Sequence, residues 1–155
     1  RAKGFDMKVL GYDPLLPAEE IQKRGGEPAC LDDLLKQADM ITMHIPLTND
    51  SRGMLNDAAF AKMKQGVYIV CAARGGVIDE TALLAALNSG KVAGAALDVF
   101  ATEPPGLTEL VSHPKVIGTP HIGAQTVEAQ TRAAHDISEE VLAALDGKPL
   151  RWKVA

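Results

Sequence analysis

Four polar side chains in the second half of the chain each follow an apolar run. They are Arg74 after VYIVCAA, Asp98 inside ALDVF with Glu103 shortly beyond it, and His121 after VIGTP. If those runs are strands of one parallel sheet, their carboxyl ends share an edge and these residues converge there. Histidine exchanges a proton near neutral pH, a neighbouring carboxylate orients the ring and raises its pKa, and a guanidinium grips a carboxylate bidentately. Such a set suits oxidation of a 2-hydroxy acid, with arginine on the substrate carboxylate, histidine taking the hydroxyl proton and a hydride leaving for a cofactor. Three of them also have a plainer reading: Arg74 before Gly75 and Gly76 as a solvated turn, Glu103 before two prolines as exposed loop, His121 as a donor to a backbone carbonyl.

Another candidate lies near the start. The run MKVLGY is apolar and ends in Asp13, as the second strand of a dinucleotide-binding fold ends when its acid holds the adenosine ribose. That acid should lie about 20 residues after a glycine-rich phosphate loop, yet only twelve residues precede Asp13 and they contain no GxGxxG. Asp13 before Pro14 is equally a turn starter. His44 lies in a strand and reads as structural or pocket-lining, whereas His113 and His135 read as surface residues. Four scattered histidines without close carboxylates argue against a metal site.

The elements that must position these residues alternate between strand and helix patterns, the signature of parallel α/β architecture. MKVLGY, a weak piece at 27–29, MITMHIP, VYIVCAA, VAGAALDVF and KVIGTP read as strands. LPAEEIQKRGG reads as a helix with Pro17 near its start, LDDLLKQADM as the next, and NDAAFAKMKQG as one opened by Asn56 and closed by Gly66. DETALLAALNSG begins at a carboxylate cap, Asp79, and a long helix runs from about Thr126 to Leu145. The proline-rich loop ATEPPGLTELVSHP is the longest interruption and sits after a strand's carboxyl end, where ligands bind in open α/β sheets.

With 155 residues, one domain covering 1–155 is expected. The net charge of -4 has no block of like charges behind it, so neither nucleic acid nor a membrane surface is expected as a partner. No apolar run approaches the ~18 residues of a membrane span. Cys30 and Cys71 are far apart with no CxxC, which fits a reducing cytoplasm.

The strings CAARGGVIDETALLAALNSGKVAGAALDVFATEPP and VIGTPHIGAQTVEAQ, together with GYDP, MHIPLTNDSRGMLN and DGKPL, resemble the NAD-dependent D-2-hydroxyacid dehydrogenases over nearly the whole chain. The resemblance implies NAD as cofactor, a small-molecule 2-hydroxy acid as partner and a homo-oligomer. It implies Arg74 as the carboxylate-binding residue, His121 as acid/base and Glu103 as the acid paired with that histidine. Asp13 would hold the adenosine ribose and favour NAD over NADP, since a carboxylate repels a 2′-phosphate. Ile45 and Pro46 would line the adenine side, and Ala72, Ala73 and Arg74 would pass the cofactor through backbone groups. Asp98 would face the nicotinamide amide, and His121, Gly123 and Ala124 would close the nicotinamide side. Ala72 stands where the family often has Cys or another small residue.

The fold so implied is a three-layer Rossmann-like parallel sheet lacking its first strand and glycine loop, as part of an NAD-binding domain without the substrate domain. RAKGFDM reads as the tail of the helix after that loop. In the family order 3-2-1-4-5-6-7 the lacking strand is the central one. The expected repair is closure of the former second strand onto the fourth, giving a flavodoxin-like order that begins 2-1-3-4-5. Exchange of elements between two chains, or a strand present in the parent protein, are the other possibilities. A non-catalytic flavodoxin-like remnant, or an oligomerising binding module with weak or no NAD affinity, is the alternative function.

Overall fold

Burial with a period of two along the strands sets the architecture. The computed structural model describes residues 1–152. In β4 (Val67–Cys71), Val67, Ile69 and Cys71 are buried while Tyr68 points out. In β3 (Met40–Met43), Ile41 and Met43 are buried and Met40 and Thr42 exposed. With β5 (Val92–Leu97) and β6 (Val116–Gly118) these strands form a four-stranded, all-parallel ladder in the order β3-β4-β5-β6. The register aligns Met43 with Cys71, Cys71 with Leu97, and Leu97 with Gly118, so all four strands end level.

Helices α2 (Leu31–Gln37), α3 (Asp57–Lys62) and α4 (Glu80–Asn88) lie side by side. Leu35, Phe60, Leu83 and Leu87 from these helices join the strand residues in one core. Full burial of a leucine contributes roughly 1.5–3 kcal/mol. The starts of α3 and α4 were legible in the sequence. Asn56 Oδ1 accepts the Ala59 N–H at 3.1 Å, and Asp79 Oδ1 accepts those of Thr81 and Ala82, each cap worth about 1 kcal/mol. Between α2 and α3, Lys62 Nζ donates to Asp32 Oδ1 at 2.7 Å; this hydrogen bond and the ammonium charge lower the Asp32 pKa. The other face of the sheet carries Met40, Tyr68 and Ile117, all exposed. Within this unit α2, α3 and α4 cover one face of the sheet.

The strand closure expected at the front of the chain does not occur. β1 (Leu10–Gly11) pairs with β2 (Glu27–Pro28) in a separate parallel ladder and not with β3. MKVLGY thus contributes two ladder residues where six were expected, and RAKGF forms a 3-10 turn at Ala2–Phe5. Between β1 and β3 lies a slot of about 720 Å³, lined by 6–10 on one side and 39–42 on the other.

The physical reason is tethering. β1 is held to β2 by hydrogen bonds from Glu27 N–H to the Val9 carbonyl (2.8 Å) and from Ala29 N–H to that of Gly11 (2.9 Å). Gly11 also lies against Ile21 of α1 (Ala18–Lys23), where a Cβ would stand 2.6 Å from Ile21 Cγ2. Only Ala29 and Cys30 separate β2 from α2, and only Ala38 and Asp39 separate α2 from β3. Links that short leave the β1-β2 pair little freedom to slide across.

The described chain divides into two compact units, Arg1–Pro120 and a second beginning at His121. The second carries α5 (Val127–Leu145), whose Thr126 cap accepts the Ala129 N–H at 3.1 Å. None of the α5 residues is buried.

The two cysteines report on this core. Cys71, at 2 % exposure, is buried in β4, and burial pushes its thiol pKa up, whereas Cys30 is exposed. A thiolate-seeking reagent should modify Cys30 in the native chain and Cys71 at least ~100-fold more slowly, until the chain unfolds. Intact-mass kinetics on the wild type and Cys30→Ser check this; equal rates would show that β4 is not a core strand.

Candidate functional site

Level strand ends put four connecting segments on one rim of the sheet. From β3 the chain passes to His44, Ile45 and Pro46. His44 Nε2 lies 2.8 Å from Thr42 Oγ1. The Pro46 carbonyl accepts the hydroxyl of Ser51 at 2.7 Å, while Ser51 Oγ accepts the Thr48 N–H at 2.8 Å. Ser51 is itself buried, so it pins the turn that presents Ile45 and Pro46.

From β4 come Ala72, exposed, Ala73, buried, and Arg74, exposed. Arg74 Nη1 donates to the Ala73 carbonyl at 2.7 Å, so the guanidinium folds back over its own main chain. A small space beside it, lined by Arg74, Gly75, Gly76 and Glu80, holds about 10 Å³. That is room for one water at most, so a ligand at Arg74 would lie on the open rim.

From β5 comes Asp98, a carboxylate at 9 % exposure. Its N–H donates to the Cys71 carbonyl at 2.9 Å, continuing the ladder past the strand, and its Oδ1 accepts the Thr119 hydroxyl at 2.5 Å. A buried carboxylate needs such donors to stay tolerable. Glu103 is exposed, and its Oε1 accepts the N–H of Phe100 at 3.1 Å, closing its loop on itself. A second carboxylate holds the same loop from outside: Glu80 Oε1, at the start of α4, accepts the Ala101 N–H at 2.6 Å. Between them, a Cβ on Gly75 would stand 1.8 Å from the Phe100 carbonyl oxygen. Only glycine lets the Arg74 turn and the Glu103 loop approach so closely.

The sequence-derived residues thus separate into three groups. Ile45, Pro46, Ala72, Ala73, Arg74, Asp98 and the Glu103 loop share the rim of the four-stranded sheet. Asp13 follows the other ladder; it is exposed, and its Oδ1 accepts the Leu15 N–H at 2.8 Å, which is the turn-starter geometry. Among the described residues nothing donates to its second oxygen. His121, Gly123 and Ala124 lie in the second unit. There His121 has a left-handed backbone, φ 54°, uncommon outside glycine. The Gln125 N–H donates to the Ile122 carbonyl at 2.9 Å, and Gln130 Nε2 holds the Ala124 carbonyl at 3.1 Å.

Sequence reasoning missed Ser51, Gly75, Glu80 and Thr119. Glu80 reads as a first-turn helix acid and Thr119 as part of a strand end. Only the Gly-Gly pair after Arg74 signalled a close approach.

The model of the D-isomer specific 2-hydroxyacid dehydrogenase NAD binding domain matches residues 1–123. D-3-phosphoglycerate dehydrogenase of Bacillus subtilis is 51 % identical over 97 % of this chain, and the human enzyme of the same name 46 % over 97 %. The chain spans only 29 % and 28 % of their lengths, respectively. Among solved structures, a D-lactate dehydrogenase from Treponema pallidum superposes with TM-score 0.90 at 35 % identity, over 99 % of this chain and 50 % of its own. A D-lactate dehydrogenase from Aquifex aeolicus, complexed with NAD and lactic acid, gives 0.83 at 35 % identity, over 94 % and 48 %.

Because the Gly75 contact is with backbone, Gly75→Ala should destabilise the first unit by more than ~1 kcal/mol in urea unfolding. Gly4→Ala, where a Cβ meets nothing within 4 Å, should stay within about 0.5 kcal/mol. Equal midpoints for the two variants would show that the two loops do not touch.

Proposed function

This chain belongs to the NAD-binding domain family of the D-isomer specific 2-hydroxyacid dehydrogenases, and we propose that it supplies the ribose and nicotinamide side of an NAD site and the groups that handle a D-2-hydroxy acid such as 3-phosphoglycerate. The observation that supports the reading is the level row of strand ends, Met43, Cys71, Leu97 and Gly118, beyond which Ile45, Pro46, Ala72, Ala73, Arg74, Asp98 and the Glu103 loop follow; Asp13 and His121 enter it by family likeness.

In this reading the exposed Asp13 carboxylate accepts from ribose hydroxyls and repels a 2′-phosphate, while Ile45 and Pro46 offer the adenine a fixed surface held by Ser51. The dinucleotide, when bound, supplies a hydride acceptor. Arg74 leaves its backbone carbonyl to grip the substrate carboxylate, an exchange of one hydrogen bond for a charge-assisted pair. His121 takes the hydroxyl proton at a ring nitrogen, and Glu103 is the acid that the family likeness assigns beside that role. Asp98, pinned by Thr119, accepts from the nicotinamide amide. Homo-oligomerisation in a reducing cytoplasm belongs to the same reading through the family likeness alone.

A second reading is a non-catalytic flavodoxin-like remnant or binding module with weak or no NAD affinity. Calorimetric titration separates the two. The first predicts NAD binding in the micromolar range, at least about tenfold weaker for Asp13→Ala with reduced discrimination against NADP. Any 3-phosphoglycerate oxidation should fall by ~100-fold or more in His121→Ala. Millimolar or absent NAD binding leaves the second reading standing, and equal affinity for NADP would remove Asp13 from the ribose role.

A further inference from the structure

Arg74 and Glu103 leave different strands, and one peptide bond stands between their loops, the bond joining Phe100 to Ala101. On one side it meets Gly75, the residue after Arg74. A Cβ there would collide with the carbonyl oxygen and carbon of Phe100 and come within 2.9 Å of the Ala101 nitrogen, so the peptide lies broadside on the Arg74 turn. At its edge the Ala101 N–H donates to Glu80 Oε1 at 2.6 Å. Two residues later comes Glu103, whose Oε1 reaches back to accept the Phe100 N–H at 3.1 Å.

The direction of that peptide is a choice between two states. A planar peptide in a loop can rotate as a unit, exchanging the sides on which its N–H and C=O point while only the flanking torsions change. Here the exchange would turn the Phe100 carbonyl oxygen onto the Glu80 carboxylate and remove the N–H that now faces it. Acceptor would meet acceptor, and a charge-assisted hydrogen bond would be lost. Glu80 itself is well anchored. Its neighbour Asp79 caps α4 through the N–H groups of Thr81 and Ala82. The Asp79 N–H donates to the Leu55 carbonyl at 3.0 Å, and the N–H groups of Leu55 and Gly53 donate to the carbonyls of Val77 and Gly76. The segment 74–80 is thus a strap tied down along 53–55, and Gly75 near one end and Glu80 at the other both bear on the same peptide.

We propose that Glu80 is a positioning residue: by holding this peptide in one orientation, it sets where the Glu103 carboxylate stands relative to Arg74. The proposal rests on the reading in which those two side chains serve one substrate. A first-turn acid also suits the positive end of a helix, and that role asks nothing of the loop. The acceptor oxygen separates the two roles. Glu80→Gln keeps an acceptor and loses the charge, whereas Glu80→Ala loses both.

Amide hydrogen exchange followed by NMR in the 155-residue chain tests this without any ligand. In Glu80→Ala the Ala101 N–H should exchange at least about tenfold faster, and so should the Phe100 N–H, whose acceptor is Glu103. The Ala95 N–H, bonded to the Lys115 carbonyl in the sheet, should stay within about threefold of its wild-type rate, and Glu80→Gln should bring both loop amides back to a similar margin. No acceleration, or acceleration at Ala101 alone, overturns the proposal, because Glu103 then keeps its place without Glu80. Glu80→Gln behaving like Glu80→Ala overturns it in favour of the helix-end role, and Ala95 quickening in step with the loop reduces Glu80 to a contribution to overall stability. In turnover of 3-phosphoglycerate with NAD, Glu80→Ala should lower kcat at least about tenfold with KM within about threefold, and Glu80→Gln should restore it. An unchanged kcat overturns the proposal. A wild-type chain without turnover tells against the catalytic reading, and the exchange rates then decide on Glu80.

Discussion

Parallel ladder register is the constraint on which this structure turns. A parallel pair has evenly spaced, slanted hydrogen bonds, and one residue of slip would move every inward side chain of the strand to the opposite face. Because Ile41, Ile69, Ala95 and their neighbours must all be buried on the helical side, the register of β3 through β6 is locked. The level ends at Met43, Cys71, Leu97 and Gly118 follow from that lock. Polar residues placed just beyond those ends reach one rim without any long-range signal between them. The rim is a consequence of packing several residues away, and core substitutions would disturb it before any polar contact was touched.

The rim is then stiffened by contacts that cost little in sequence. Ser51 holds the turn after β3, Thr119 holds Asp98, and Glu80 holds the loop that carries Glu103. Each is a side chain gripping a main-chain group or a buried carboxylate, and each shortens the distance over which a loop can drift. Gly75 does the same by lacking a side chain, since its bare α-carbon admits the Phe100 carbonyl. Precision at the rim comes from such supporting groups as much as from the reactive ones.

Much of this was legible in the chain. Asn56, Asp79 and Thr126 mark helix starts because their side chains satisfy N–H groups at the helix start that have no intrahelical partner, a local effect with a local signature. The apolar runs of β3, β4 and β5 announce buried parallel strands. Long-range geometry was not legible. The early end of α3, at Lys62 instead of the region of Gly66, reflects Met63 turning into the core at 3 % exposure. Arg74 folding onto Ala73, and Glu80 reaching Ala101 across 21 residues, depend on which loops meet, and composition does not encode that. His121 was legible as a residue type after a strand, but its left-handed backbone was not.

The failure of the front of the sheet to close is the most informative departure. Closure would gain hydrogen bonds for Leu10, Met40 and Thr42, each worth about 0.5–1.5 kcal/mol net. Against that stands the cost of dismantling what already holds β1 and the β2-α2-β3 connection. β1 has its own partner strand, its own helix in α1 and a glycine, Gly11, fitted against Ile21. Two-residue links at 29–30 and 38–39 leave α2 as a nearly fixed spacer between β2 and β3. Solvent can satisfy the exposed edge groups at small cost, whereas nothing replaces the β1-β2 ladder if it is broken. Local fit therefore outweighs the long-range pairing of β1 with β3.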